Sequence, residues 1–288
     1  MKPNPVLRKP RPTRRKKETN MINSMWSGVS GLRAHQTSMD VIGNDIANVN
    51  TIAFKQSDIT FEDAFYNTLG SPTADTAGKQ VGMGVNVGKI TQDFSGGLLQ
   101  STGVPTNLGI SGDGFFVLKD AAGLQTTYSR AGDFEFSYDS GADVLNLRGP
   151  DGMFLYGTAG AAGGAAGSMI ALPGDIQDMM VSSSGQISYI DSTGSLVENA
   201  YTIDIATFPG ETGLSQVGSN QYVETEASGA PDFTSTDYTI SQGYLENSNV
   251  DLAKEFTEMI VAERGFQANS RTVSTSDSML QELLSLKR

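Results

Sequence analysis

An apolar residue recurs every seven positions near each end of the chain. The N-terminal series is Met25, Leu32, Met39 and Ile46, with Val29 beside it; the C-terminal series is Leu252, Met259, Phe266, Val273 and Leu280. A seven-residue repeat lays an apolar stripe along one side of a helix, and that stripe needs a partner to cover it. The middle of the chain is glycine-rich and reads as strands, so it offers no equivalent helical stripe. The pattern is satisfied if the two ends pack on each other or on the ends of neighbouring copies. The stripe residues just named are therefore the candidate assembly interface. The expected fold is α+β, with long N- and C-terminal helices packed as a coiled-coil-like layer and a mainly β central domain. A chain whose helical tails find partners in other copies is a filament subunit more often than an enzyme.

The boundaries follow from where the periodicity changes. Residues 1–20 read as a basic extension, 21–57 and 245–288 as the paired helices of an inner-tube domain, 58–96 as a connecting segment, and 97–244 as a β-rich outer domain. The first helix is expected over 21–50, with Asn23 or Ser24 as its cap. Gly28, Gly31 and Gly43 each weaken an isolated helix by up to about 1 kcal/mol relative to Ala, and in return they permit close approach of a second helix. Phe61, Phe65 and Tyr66 look like an aromatic anchor, and Lys79–Lys89 alternates like a strand. Asp113-Gly114, Asp151-Gly152 and Thr193-Gly194 mark turns between alternating runs, with Gln186–Asp191 and Val197–Thr207 as a hairpin. Gly157–Gly167 is an Ala/Gly loop. The last helix should start at Asn249 or Asp251, with Glu255 and Glu258 near its positive end and Lys287 and Arg288 at its negative end.

Composition removes several function classes. Residues 1–20 hold eight Lys or Arg against one Glu, which leaves 12 basic and 31 acidic residues in the rest of the chain. So acidic a body argues against a nucleic-acid surface. The Pro-broken basic run reads as a disordered extension, and Met21 offers an alternative start. With no cysteine there are no disulfides, no thiol catalysis and no cysteine metal site. No apolar run reaches the roughly 20 residues of a membrane-spanning helix, and no apolar segment follows the basic region as in a secretory signal. His35 is the single histidine and lies inside the first helix, so histidine clusters and triads are excluded. The carboxylates are scattered. Asp139–Asp143 lacks the later Glu of a calcium loop and reads as a hairpin turn. Gly112-Asp113-Gly114 precedes a strand rather than a helix, so it is not a dinucleotide fingerprint. No catalytic, cofactor or metal residue is assigned. A glycan-acting enzyme would need a carboxylate pair in a cleft, and none is evident.

Longer strings carry a resemblance. Leu32–Lys55 (LRAHQTSMDVIGNDIANVNTIAFK) resembles the N-terminal signature of bacterial flagellar rod and hook proteins. Asp45 replaces the family's usual Asn, and Ala53 its usual Gly, which puts a positive-φ turn at residue 53 in doubt. Gly109–Leu118 (GISGDGFFVL), Tyr128–Phe134 (YSRAGDF), Gly243–Leu252 (GYLENSNVDL) and Phe266–Leu284 (FQANSRTVSTSDSMLQELL) resemble further family segments in the same order. Within the family, Ser101–Asn107 and the C-terminal Leu-Leu-Ser-Leu-Lys-Arg look closest to a short form of hook protein, with the distal rod as the alternative. A secreted β-domain adhesin with coiled-coil tails is a third reading. The resemblance implies a non-enzymatic subunit that assembles in many copies into a flexible tube in the flagellar hook or basal body, outside the cell after type III export. It implies as partners the flagellar rod, hook-cap and hook–filament junction proteins and the flagellar type III export apparatus, with no cofactor, nucleic acid or membrane insertion.

Overall fold

The computed structural model describes residues 15–70, 78–121, 123–141, 143–160, 167–235 and 237–286. They fall into two compact units. Unit 1 contains the chain up to Asn44, residues 58–90, and the chain from Ala253 onward; unit 2 contains residues 45–57 and 91–252. The basic run at residues 1–14, most of the Ala/Gly loop, and Lys287 and Arg288 lie outside the described residues.

Two long helices flank a mainly β middle. Helix α1 spans Arg15–Ala47, so it starts six residues before Met21 and ends before the Asn48–Asn50 turn. Helix α2 spans Leu252–Ser285, with Glu255 in its first turn where the helix dipole favours an acid. The segment over 58–96 carries strands, with the alternating run Lys79–Lys89 on two of them: Ser57–Asp63 pairs with Val85–Gln92, and Tyr66–Gly70 pairs with Lys79–Gly82. These strands are largely exposed and rich in Asp, Asn, Thr and Gly.

Unit 2 is built on an antiparallel sheet centred on Phe115–Lys119. That strand pairs with Thr126–Ser129 on one side and Phe154–Ala159 on the other. Its neighbouring side chains point to opposite faces. Phe116 and Leu118 enter a core with Leu108, Leu147, Leu155, Ile187 and Ile203; Phe115 and Val117 enter a second core with Phe94, Tyr128, Phe208 and Tyr222. Burial on both faces explains the unbroken apolar run Phe115–Leu118. The second core is aromatic and packed edge to face, with Tyr128 and Phe208 centroids 4.8 Å apart and Phe94 and Tyr222 centroids 5.3 Å apart. The expected hairpin forms between Gln186–Ile190 and Leu196–Ile203, and Asp139–Asp143 turns between Glu135–Asp139 and Val144–Arg148.

The first strands of unit 2 pair with its last. Leu108–Gly112 pairs with Tyr238–Gln242, and Leu99–Ser101 pairs with Tyr244–Glu246. The sheet therefore brings together two stretches of chain far apart in sequence.

Burial in the aromatic core raises the Tyr128 and Tyr222 phenols to about 12, above the ordinary 10. Because their folded values are raised, the neutral phenols favour the fold fully below pH 10, and that contribution is lost as pH rises from 10 through 12. In an alkaline titration followed by tyrosinate absorbance and circular dichroism, two of the nine tyrosines should ionise only as the sheet opens. Tyr222→Phe should move alkaline unfolding to higher pH, and early ionisation of all nine with an intact sheet would contradict the assignment.

Candidate assembly interface

In unit 1 the two helices meet along small residues. Ser24 Oγ lies 3.3 Å from Ser276 Oγ. A Cβ placed on Gly28 would sit 2.9 Å from Val273 Cγ2, one on Gly31 would sit 2.5 Å from Asn269 Nδ2, and one on Gly265 would sit 2.5 Å from the His35 ring. As the α1 number rises along this series the α2 number falls, so the contact is antiparallel. Gly28, Gly31, Ala34, Ser38 and Ile42 are buried on α1, and Ala262 and Ser276 on α2. Of the glycines that weaken an isolated helix, Gly28 and Gly31 admit the Val273 and Asn269 side chains of α2, whereas a Cβ on Gly43 would meet nothing within 4 Å. Strand Val85–Gln92 joins this layer through Val85 N–H, which donates to Ser30 Oγ at 3.2 Å. The exposed Lys254–Asp58 pair at 3.3 Å adds little.

One heptad residue lies on this seam: Val273, whose Cγ2 faces Gly28. On α1, closest approach belongs to Ser24, Gly28, Gly31 and His35, and Met25, Val29, Leu32, Met39 and Ile46 are half-buried. On α2, Val273 meets Gly28, whereas Met259, Phe266 and Leu280 are half-buried and Leu252 is exposed. Outside the heptad set, Val261 and Leu284 are the most exposed apolar side chains on α2. Phe256 and Ile260 follow the exposed Leu252 at spacings of four, and Met279 and Leu283 are four apart, so each set shares a helical face. Trp26 on α1 is also exposed. The four-residue spacing is visible in the sequence but was masked by the stronger seven-residue signal.

Unit 2 contains a buried ionic cluster that periodicity does not reveal. Lys55 Nζ lies 2.6 Å from Glu246 Oε1 and donates to the Ser95 carbonyl at 2.8 Å. Gly97 N–H donates to the same Oε1 at 2.7 Å, and Ala53 N–H donates to the Glu246 carbonyl at 2.8 Å. Arg130 Nη1 is 3.7 Å from Glu246 Oε2, and all three charged side chains are at most 1% exposed. Burial pushes the Lys55 ammonium below its ordinary range, and Glu246 offsets part of that shift. Asn249 completes the cluster: its Oδ1 accepts from Gln56 N–H at 2.8 Å, and its Nδ2 donates to the Asp93 carbonyl at 2.9 Å. Ala53, at φ +54° and fully buried, adopts the positive-φ conformation that its side chain had put in doubt. Lys55 and Glu246 each follow a buried apolar residue, Phe54 and Leu245. A charge beside an apolar anchor is the available signal, but nothing in the sequence says that they pair.

Among the described residues no group of His, Asp and Glu could hold a metal ion, and no described helix is long and apolar enough to cross a membrane.

Comparison with known proteins gives three family matches. Residues 25–55 match the model of flagellar basal body rod proteins, 109–189 the D1 domain of flagellar hook protein FlgE/F/G, and 241–286 the C-terminal domain of flagellar basal body rod FlgEFG proteins. The chain is 40% identical to the flagellar basal-body rod protein FlgG of Bacillus subtilis over 285 residues, covering 93% of this chain and all of that one. It is 34% identical to the FlgG of Agrobacterium fabrum, covering 90% and 97% of the two chains. It is 27% identical to the flagellar hook protein FlgE of Borreliella burgdorferi in an alignment of 443 residues, covering 93% and 100%.

The helix contact depends on Gly31. In Gly31→Ala the new methyl meets only the movable end of Asn269, and a gain in helix propensity of up to about 1 kcal/mol offsets the crowding. Gly31→Leu has no such escape and should cost about 1–3 kcal/mol as overpacking. Hydrogen exchange of α1 amides in the purified protein should therefore be near wild type in Gly31→Ala and clearly faster in Gly31→Leu. Equal protection in both would show that the helices do not rely on close approach.

Proposed function

Because the chain belongs to the family of bacterial flagellar rod and hook proteins, we propose that it is a subunit of the distal rod, the shaft of the flagellar basal body. As a member of this family it is a structural protein of the flagellum and not an enzyme. The observation that carries the rod reading is the end-to-end match to rod proteins at 40% and 34% identity with no large insertion on either side. The hook-protein alignment runs to 443 residues against a chain of 288, so that hook protein holds a long stretch with no counterpart here. The short-hook expectation rested on Ser101–Asn107 and the C-terminal residues. Strings so short separate the two branches less well than the whole length does.

The subunit surface supports assembly through the helices. The proposed contact residues are the heptad set Met25, Val29, Leu32, Met39, Ile46, Leu252, Met259, Phe266, Val273 and Leu280, joined by the more exposed Phe256, Ile260, Met279 and Leu283. In a helical assembly each copy presents one surface to a different surface of the next, so the contact repeats without closing. The proposed partners are further copies of this chain, the neighbouring rod proteins and the flagellar type III export apparatus. Contacts with hook-cap and hook–filament junction proteins belong to the hook alternative.

Electron microscopy of basal bodies from a strain lacking this gene separates the two readings. A rod subunit predicts a rod that stops short, with no hook beyond it. A complete rod lacking only its hook would return the hook reading.

Ile260→Asp tests the helical surface. Ile260 is half-exposed, so the isolated subunit should melt within about 0.5 kcal/mol of wild type. In the assembly the carboxylate would be desolvated in every copy without a partner, so motility and basal-body completion should be lost. Normal motility would remove this face from the contact.

A further inference from the structure

Every covalent passage between the two units is held in unit 2 by one set of polar contacts. The chain passes from one unit to the other after Asn44, Ser57, Ile90 and Leu252. Just inside unit 2, Ser57 N–H donates to Asp45 Oδ2 at 3.0 Å, which joins the first two passages. Gln56 and Asp93 are both tied to Asn249, which joins the second and third to the fourth. Lys55, Ser95 and Gly97 converge with Glu246 in the same way. Asn220 Nδ2 secures the intervening turn by donating to the Ile52 carbonyl at 2.6 Å.

We propose that this root is a latch set by Glu246: closed, it fixes together the points at which the chain enters and leaves unit 2, and open, it frees them together while the apolar sheet stays folded. Two observations carry the inference. The first is the separation of polar from apolar contacts. None of residues 51–57, 95–97 or 246–249 belongs to either apolar cluster of unit 2. Regions held mainly by polar contacts open below the free energy of the core, as separate cooperative units. The second is that four ties meet on one residue. The Glu246 carboxylate takes Lys55, Gly97 N–H and Arg130, and its carbonyl takes Ala53 N–H. Removing its charge takes the paired carboxylate from two buried cations and leaves them only the weaker influence of Asp93 and Glu211, a condition far worse than the loss of a surface pair. Lys55 can relieve it by swinging to water, which draws residues 53–56 off the sheet and abandons Ser95 and Gly97 with them. One carboxylate thus makes the release concerted. The inference concerns unit 2 alone and holds for a rod or a hook subunit.

Hydrogen exchange with mass spectrometry on the purified full-length chain tests it. In Glu246→Gln, peptides covering 51–57 and 95–101 should exchange about 100-fold faster than in wild type, the scale expected on breaking a buried pair. Peptides covering 115–119 and 154–159 should be unchanged. Unchanged root peptides would overturn the latch, as would an equal rise in root and sheet, which marks an ordinary loss of domain stability. If Glu246→Gln does not fold, Asn249→Ala decides the question, since it keeps all three charges and removes the ties to Gln56 and Asp93. The same local split supports the latch, and a uniform rise overturns it.

Discussion

A single carboxylate between two buried cations organises the closure of unit 2. Glu246 lies within 2.6 Å of Lys55 and 3.7 Å of Arg130, all out of contact with water. Such a cluster is a poor source of net stability, because desolvation consumes much of the attraction. Its effect is on geometry: charges that cannot be left unpaired accept few arrangements. Here the required arrangement brings residue 55 to residue 246. The strand pairs Leu99–Ser101 with Tyr244–Glu246 and Leu108–Gly112 with Tyr238–Gln242 bring the same two stretches of chain together. Apolar strands hold the sheet, and the ionic cluster selects where its two ends emerge.

In unit 1 the controlling constraint is steric. Glycines at 28, 31 and 265 let α1 and α2 approach until side chains of one touch the backbone of the other. Close approach by small residues buries little apolar area, and several large apolar residues of both helices remain exposed. Phe256, Ile260 and Val261 are at least half exposed, and so is Trp26. A protein that lived as a monomer would gain by making these polar. A subunit whose helices are covered by those of other copies has the opposite requirement, since each exposed apolar side chain contributes roughly 1.5–3 kcal/mol when it is finally buried.

The sequence reveals these features to different depths, for physical reasons. Both helices are legible because a seven-residue apolar repeat has no other regular reading. Strand Phe115–Lys119 is legible because burial on two faces demands an unbroken apolar run. Between residues 57 and 92 the alternating run Lys79–Lys89 is legible and falls on two strands, whereas exposed residues such as Glu62 and Thr68 in the other two carry no burial pattern. Helix faces are read less well than helices. A heptad identifies a stripe but not which stripe meets which partner, and here Gly28, Gly31 and Gly265 lie on the intramolecular seam together with heptad residue Val273. The Lys55–Glu246 pair spans 191 positions, and no local pattern encodes so distant a partner. The strings shared by rod and hook proteins do not separate the two for a related reason: they encode the shared fold.

Ala53 brings the local and long-range constraints to one residue. A non-glycine residue in the left-handed region costs about 1–2 kcal/mol, and Ala53 adopts it at φ +54° with no exposure to water. Its own N–H is held by the Glu246 carbonyl, and the next residues carry Phe54 into the interior and Lys55 to the carboxylate. Relaxing residue 53 to a right-handed or extended conformation would turn both side chains away from those partners. The strain therefore persists because the placement of Phe54 and Lys55 depends on it. Glycine would meet the same requirement with less local cost but would enlarge the freedom of the unfolded turn, so alanine in this position exchanges native-state strain for a smaller entropy to lose. That exchange is possible only where the rest of the site already determines the backbone, and at residue 53 the buried ionic cluster does so.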